Sequence, residues 1–335
     1  MKKVLFMAVM FVGIMMLAAC GSNESSGAEN AGGSSDNSGE KTYTIGATQI
    51  LEHPSLDAAY KGFKKAIDDA GLNVEYDYQS AQNDMNNVNT ISSKFVADGV
   101  DLIFANSTPS ALGALQATKD IPILFTSVTD PVGAGLVDAM DKPGKNITGV
   151  TDLHPDAIKK TVEFIDKYFE GASVGLIYNS GEQNSVSQIE AVKKAAEGTS
   201  LSFEERTVAN SSEVQQAAST VVSEVDVIYI VTDNTVVSAL ETVVGVANEQ
   251  DIPLIVGEPN SLEKGGFATY GIDYYDIGYR TGEMAVQILT GKKKPSDIPV
   301  EYPPKIELYV NKKAAEKQGI EWNSDWDDAK FVEEK

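Results

Sequence analysis

Residues 102–105 and 121–125 are apolar at every position, the pattern of strands buried on both faces of a parallel sheet, and each run ends in hydroxyl residues. The first runs into Ser107 and Thr108 ahead of Pro109, the N-cap and first-turn proline expected where a helix begins. The second runs into Ser127, Thr129 and Asp130. Around them the period of the apolar positions switches between two and about 3.6. It predicts strands over 43–47 and 74–78 and helices over 56–70 and 87–97, with Gly71 and Gly99 as stops. The alternation continues with helices over 158–168, 185–196, 213–222, 236–249 and 274–289, and with strands over 174–178, 201–206, 227–231, 267–270 and 306–310. Strand and helix in strict turn imply right-handed βαβ units on parallel sheets.

The pattern occurs twice. Asp226-Val-Ile-Tyr-Ile-Val-Thr232-Asp233-Asn234 repeats Asp101-Leu-Ile-Phe-Ala-Asn-Ser107-Thr108-Pro109, and Asp251-Ile-Pro-Leu-Ile-Val-Gly-Glu258 repeats Asp120-Ile-Pro-Ile-Leu-Phe-Thr-Ser127. Earlier segments align at a similar offset, so the chain holds two structural copies of one unit. The expected architecture is two similar Rossmann-like α/β lobes with parallel sheets, joined by a hinge of several crossings. The first lobe takes residues 42–150 and about 271–305, and the second takes 151–270 and about 306–335. Near the end, Trp322 and Trp326 are expected to pin an otherwise polar segment.

The N-terminus changes the picture by fixing a compartment. Met1-Lys2-Lys3 is a charged start, residues 4–16 are apolar, and Leu17-Ala18-Ala19 precedes Cys20, the chain's one cysteine. This is a signal-peptide pattern too short to span a bilayer. Residues 21–41 are rich in Gly, Ser, Asn and Glu and read as a flexible tether. A net charge of −22 argues against nucleic acid and against a polybasic membrane patch.

Reactive chemistry is sparse. The two histidines, His53 and His154, have no metal-ligand spacing, and no nucleophile elbow, phosphate loop or dinucleotide fingerprint follows a strand. Neither an enzyme nor a metal or cofactor is indicated. What the strand ends offer is a binding constellation: Gln49, Glu52, His53, Ser107, Thr108, Ser127, Thr129 and Asp130 from one lobe, and Asn179, Gln183, Asn184, Asp233, Asn234, Glu258 and Asn260 from the other. Ligands of open α/β sheets sit at such ends. A cleft between them suits a small zwitterion, with hydroxyls and helix N–H groups for its carboxylate and a buried carboxylate for its ammonium. Asp233 is the first candidate for the ammonium because it stands where the first lobe has Thr108, although it also reads as the cap of the following helix. Tyr178, Tyr270, Tyr274 and Phe125 are candidates for apolar walls.

Leu17-Ala18-Ala19-Cys20 followed by Gly21 resembles the lipobox of bacterial lipoproteins. The resemblance implies removal of residues 1–19 and a lipidated (palmitate-bearing) Cys20. Thr48-Gln49-Ile-Leu-Glu52-His53-Pro54, Ala105-Asn-Ser107-Thr108-Pro109 and Ser127-Val-Thr129-Asp130-Pro131 resemble the solute-binding lipoproteins of ABC importers. So do Tyr178-Asn179-Ser180-Gly-Glu-Gln-Asn184, Thr232-Asp233-Asn234 and Tyr270-Gly271-Ile-Asp273-Tyr274, and the branch they resemble contains tryptophan- and tyrosine-binding proteins. That resemblance implies a type I periplasmic-binding-protein fold and strand-end ligand contacts, here extended to Tyr270 and Asp273. It further implies hinge closure and docking on membrane permease subunits at the extracytoplasmic face. The expected function is capture of an aromatic amino acid by a monomer, with a sugar or nucleoside as the alternative solute.

Overall fold

The structure is a computed structural model that describes residues 41–333, which form one compact unit. The signal peptide, the lipidated Cys20 and most of the tether lie outside the described residues.

The first lobe opens with β1 (Thr42–Gln49), α1 (Pro54–Asp69), β2 (Asn73–Ser80) and α2 (Met85–Asp98). It continues with β3 (Leu102–Asn106), α3 (Thr108–Ala117), β4 (Ile123–Val128) and β5 (Ile147–Thr151). Its five strands are all parallel in the order β2-β1-β3-β4-β5, with β3, β4 and β5 buried along their whole length. β3 and the start of β4 are the continuous apolar runs of the sequence, and burial on both faces is what such runs require, whereas β5 is buried with two threonines in it.

The second lobe follows with α4 (Ala157–Tyr168), β6 (Ser173–Asn179), α5 (Gln183–Ala195), β7 (Ser202–Val208) and α6 (Val214–Val221). Next come β8 (Val227–Ile230), α7 (Asn234–Ser238), α8 (Leu240–Glu249), β9 (Leu254–Val256), β10 (Ala268–Gly271) and α9 (Tyr274–Leu289). The chain ends with β11 (Glu307–Val310), α10 (Lys312–Lys317) and β12 (Lys330–Phe331). The second sheet runs β12-β11-β10-β9-β8-β6-β7, and only β10 with β11 is antiparallel.

Two differences from the sequence reading have physical causes. The helix expected over 236–249 is two helices, broken at Ala239 (φ −117°, ψ 22°). The break lets α7 start at a cap on Asp233 while α8 buries Leu240, Val243, Val244 and Ala247. The C-terminal α10 and β12 are too short for periodicity to reveal. Trp326 is buried against Phe164, Tyr168, Phe267 and Trp322.

Helix α9 follows the second-lobe strand β10 yet lies on α1, held by glycines. A Cβ on Gly278 would collide with the backbone of Ala59, and one on Gly62 with the backbone of Tyr275. The chain passes between the sheets after β5, between β10 and α9, and before β11. The first and third passages are tied by Thr151 N–H to Glu301 O at 2.9 Å and Glu301 N–H to Gly149 O at 3.1 Å. Arg280 of α9 clamps the Glu301 carboxylate with two bonds of 2.8 Å. Passages bonded to one another bend together, which defines a hinge.

Candidate functional site

The carboxyl ends of the strands of both sheets meet around a narrow cavity. From the first lobe it is lined by Leu51, His53, Ser55, Leu56, Thr108, Ser127, Thr129 and Asp152. From the second come Asn184, Thr232, Asp233, Asn234, Val237 and Glu258, and Tyr274 closes the base.

Three carboxylates reach this wall, and their surroundings separate them. Asp233 caps α7: its Oδ1 accepts from Val236 N–H at 2.7 Å and its Oδ2 from Asn179 N–H at 2.6 Å. Burial, and then the neighbouring Glu182, push its pKa up from the usual carboxylate range. Glu258 is also engaged, by Asn260 N–H at 2.7 Å, by the Ser261 hydroxyl and by the Ser55 hydroxyl of the opposite lobe. Asp152 differs. Its Oδ2 accepts from the Tyr274 hydroxyl at 3.1 Å, the Thr129 hydroxyl lies near enough to help lower its pKa, and its Oδ1 is buried with no partner at hydrogen-bond geometry among the described residues. Burial raises its pKa to about 6, which leaves it mostly ionised at neutral pH.

The donors are equally specific. His53 is the N-cap of α1, where its Nδ1 accepts from Ser55 N–H at 3.3 Å. The proton of the neutral ring therefore sits on Nε2, and burial keeps the ring neutral by lowering its pKa. Nε2 is buried without a partner, 4.0 Å from Glu258 Oε1. Thr108 Oγ1, in the first turn of α3, is also buried and unpaired, as is Asn184 Oδ1. Among the described residues no lysine or arginine lines the cavity.

Of the residues expected from sequence, His53, Thr108, Ser127, Thr129, Asn184, Asp233, Asn234 and Glu258 stand in this wall. Gln49 lies behind it, bonded to Leu51 O at 2.9 Å, Asp57 at 2.8 Å and Asn106 at 3.2 Å. Ser107 is turned to its own helix, accepting from Ser110 N–H at 3.3 Å. Asn179 bonds Thr235 at 2.9 Å, and Asp130 reaches across to Ser187 at 2.9 Å. Tyr270 packs edge-on to Phe164, and Asp273 is the exposed cap of α9. Among the aromatic candidates Tyr274 lines the cavity, whereas Phe125 is fully buried in the first lobe's core. Asp152 and Ser55 were missed. Asp152 directly follows the strand 147–151, and placing the lobe boundary between 150 and 151 hid one more polar strand end.

Two α/β lobes with a polar cavity at their facing strand ends define a solute-binding protein of the type I periplasmic-binding-protein fold. The chain belongs to the family of ABC transporter substrate binding proteins, whose profile matches residues 44–326. It is 44% identical over 316 residues to a tyrosine-binding protein of Clostridioides difficile (strain R20291), covering 92% of this chain and 90% of the relative. An ABC domain from Streptococcus pneumonia solved in complex with L-Trp has a TM-score of 0.83 at 35% identity, over 87% of this chain and 100% of that one. The ligand-free, open structure of a substrate binding protein with adhesive properties from Clostridium difficile is 42% identical, over 88% of this chain and all of that one. Its TM-score is 0.66. Members of this family work outside the cytoplasm, with a small-molecule solute and permease subunits as partners, and they are not enzymes.

Proposed function

We propose that this protein is the solute-binding lipoprotein of an ABC importer, lipidated at Cys20, and that it captures an aromatic amino acid between its lobes. The observation that carries this reading is the set of unengaged polar atoms in the cavity. Asp152 Oδ1 and Asn184 Oδ1 accept, Thr108 Oγ1 and the neutral His53 Nε2–H donate, and among the described residues no lysine or arginine lines the cavity. A buried carboxylate without a counter-ion calls for a cationic group on the ligand. An α-ammonium at Asp152 and a carboxylate held by Thr108, His53 and the N-terminus of α3 satisfy both sets. Leu51, Leu56, Val237 and Tyr274 remain for an apolar or aromatic side chain. The relatives named for tyrosine and solved with L-Trp favour the aromatic class.

A thermal-shift screen of residues 40–335, refolded from denaturant to strip carried-over solute, tests this. L-Tyrosine, L-tryptophan or L-phenylalanine at a hundredfold over its Kd is expected to add about 2.7 kcal/mol, a rise of several degrees in Tm. A rise with a sugar or nucleoside and none with amino acids would overturn the assignment of the ammonium.

A further inference from the structure

We propose that Asp130 with Ser187, and Asn83 with Thr235, form a two-point latch that sets how firmly the protein holds any solute without touching it. Each pair joins the two lobes: Ser187 Oγ donates to Asp130 Oδ2 at 2.9 Å, and Asn83 Nδ2 donates to Thr235 Oγ1 at 3.1 Å. None of the four residues lines the cavity around Asp152.

What marks these pairs out is that each half is shaped by its own lobe. Asp130 Oδ1 is held by Gly133 N–H at 2.8 Å, so the carboxylate is aimed before closure. A Cβ on Gly133 would push that carboxylate aside and stand 3.2 Å from Gln183 Nε2 of the other lobe. Asn83 follows Gln82 in a left-handed turn (φ 59° and 53°), an uncommon conformation for residues with side chains, and its N–H is fixed to Ile50 O at 2.7 Å. Across the cleft, Thr235 Oγ1 is oriented by Glu182 at 2.7 Å and Asn179 at 2.9 Å. Closing the cleft therefore adds two hydrogen bonds between groups already in position, with little further ordering to offset them.

The inference rests on the cleft being the solute site, but not on which solute fills it. If only the closed form binds tightly, the apparent Kd is the intrinsic value divided by the closed fraction. Losing the latch then weakens every solute by one common factor. A contact that touched the solute would discriminate between solutes.

The test uses residues 40–335 carrying Asn83→Gly and Ser187→Ala together. Glycine tolerates the left-handed turn, and Ser187→Ala leaves Asp130 bonded to Gly133. Calorimetric titration is expected to show affinity for L-tyrosine and for L-tryptophan falling by the same factor, about tenfold, as suits two ordinary hydrogen bonds. Small-angle scattering of the ligand-free proteins is expected to give a larger radius of gyration for the double variant than for the parent. Gly133→Ala, which displaces the Asp130 carboxylate, should move both readouts the same way.

Unchanged affinity with unchanged scattering overturns the latch, and so does a loss that differs between the two amino acids. If the parent binds neither amino acid, the solute reading above has failed. The ligand-free scattering still decides the latch: a double variant no larger than its parent removes it.

Discussion

Asp152→Asn is expected to weaken amino-acid binding by about 3 kcal/mol, on the order of a hundredfold in Kd, because it removes the charge that faces the ammonium. The fold should survive, since asparagine keeps the shape of the side chain and an oxygen for the Tyr274 hydroxyl, which bonds Asp152 at 3.1 Å. The pH dependence provides a second readout. In the ligand-free protein burial holds the pKa of Asp152 up at about 6, and a bound ammonium pulls it down. Binding therefore releases a proton between the two values. As pH falls through about 6 the parent's Kd should rise, approaching tenfold per unit below it. The variant has no carboxyl at this position and should lose that steep limb. Equal affinities in calorimetry at pH 7.5 and pH 5 for parent and variant would remove Asp152 from the site.

Gly278→Val is expected to be the most damaging single change outside the cavity. The added Cβ would fall on the backbone of Ala59, where no side chain can rotate away, so α9 must lift from α1. Overpacking of this kind costs about 3 kcal/mol, and here it also disturbs Arg280, two residues on, which clamps Glu301 at the hinge. The melting temperature should drop by roughly 6–12 °C. Retention of the parent Tm would show that the two helices can separate at no cost.

Much of this molecule could be read from its residues, for reasons that can be stated. Apolar runs mark strands buried on both faces, so 102–105, 121–125 and 227–231 announced themselves while β5, with two buried threonines, did not, and the repeat of 101–109 at 226–234 gave two lobes. Individual roles at the strand ends were harder, because capping a helix and binding an ammonium ask for the same carboxylate at the same place. Asp233 satisfies two backbone N–H groups, whereas Asp152 keeps one oxygen unpaired, and only three-dimensional surroundings distinguish them. Asp130 shows the same limit: its position after β4 was legible, but its partner Ser187 lies on the other lobe.

The route of the chain has a consequence for synthesis. Helix α1 leaves the ribosome early, but α9, which covers it, is made only after the core of the second sheet. Phe63, Ala59 and Ile67, fully buried once α9 is in place, cannot be covered by it until then. A nascent first lobe thus remains incomplete through most of translation, held back by long-range contacts whose closure is slow. The first lobe therefore reaches its native packing only once nearly the whole chain exists, so a chain cut short before α9 would leave Phe63 and Ile67 without their cover.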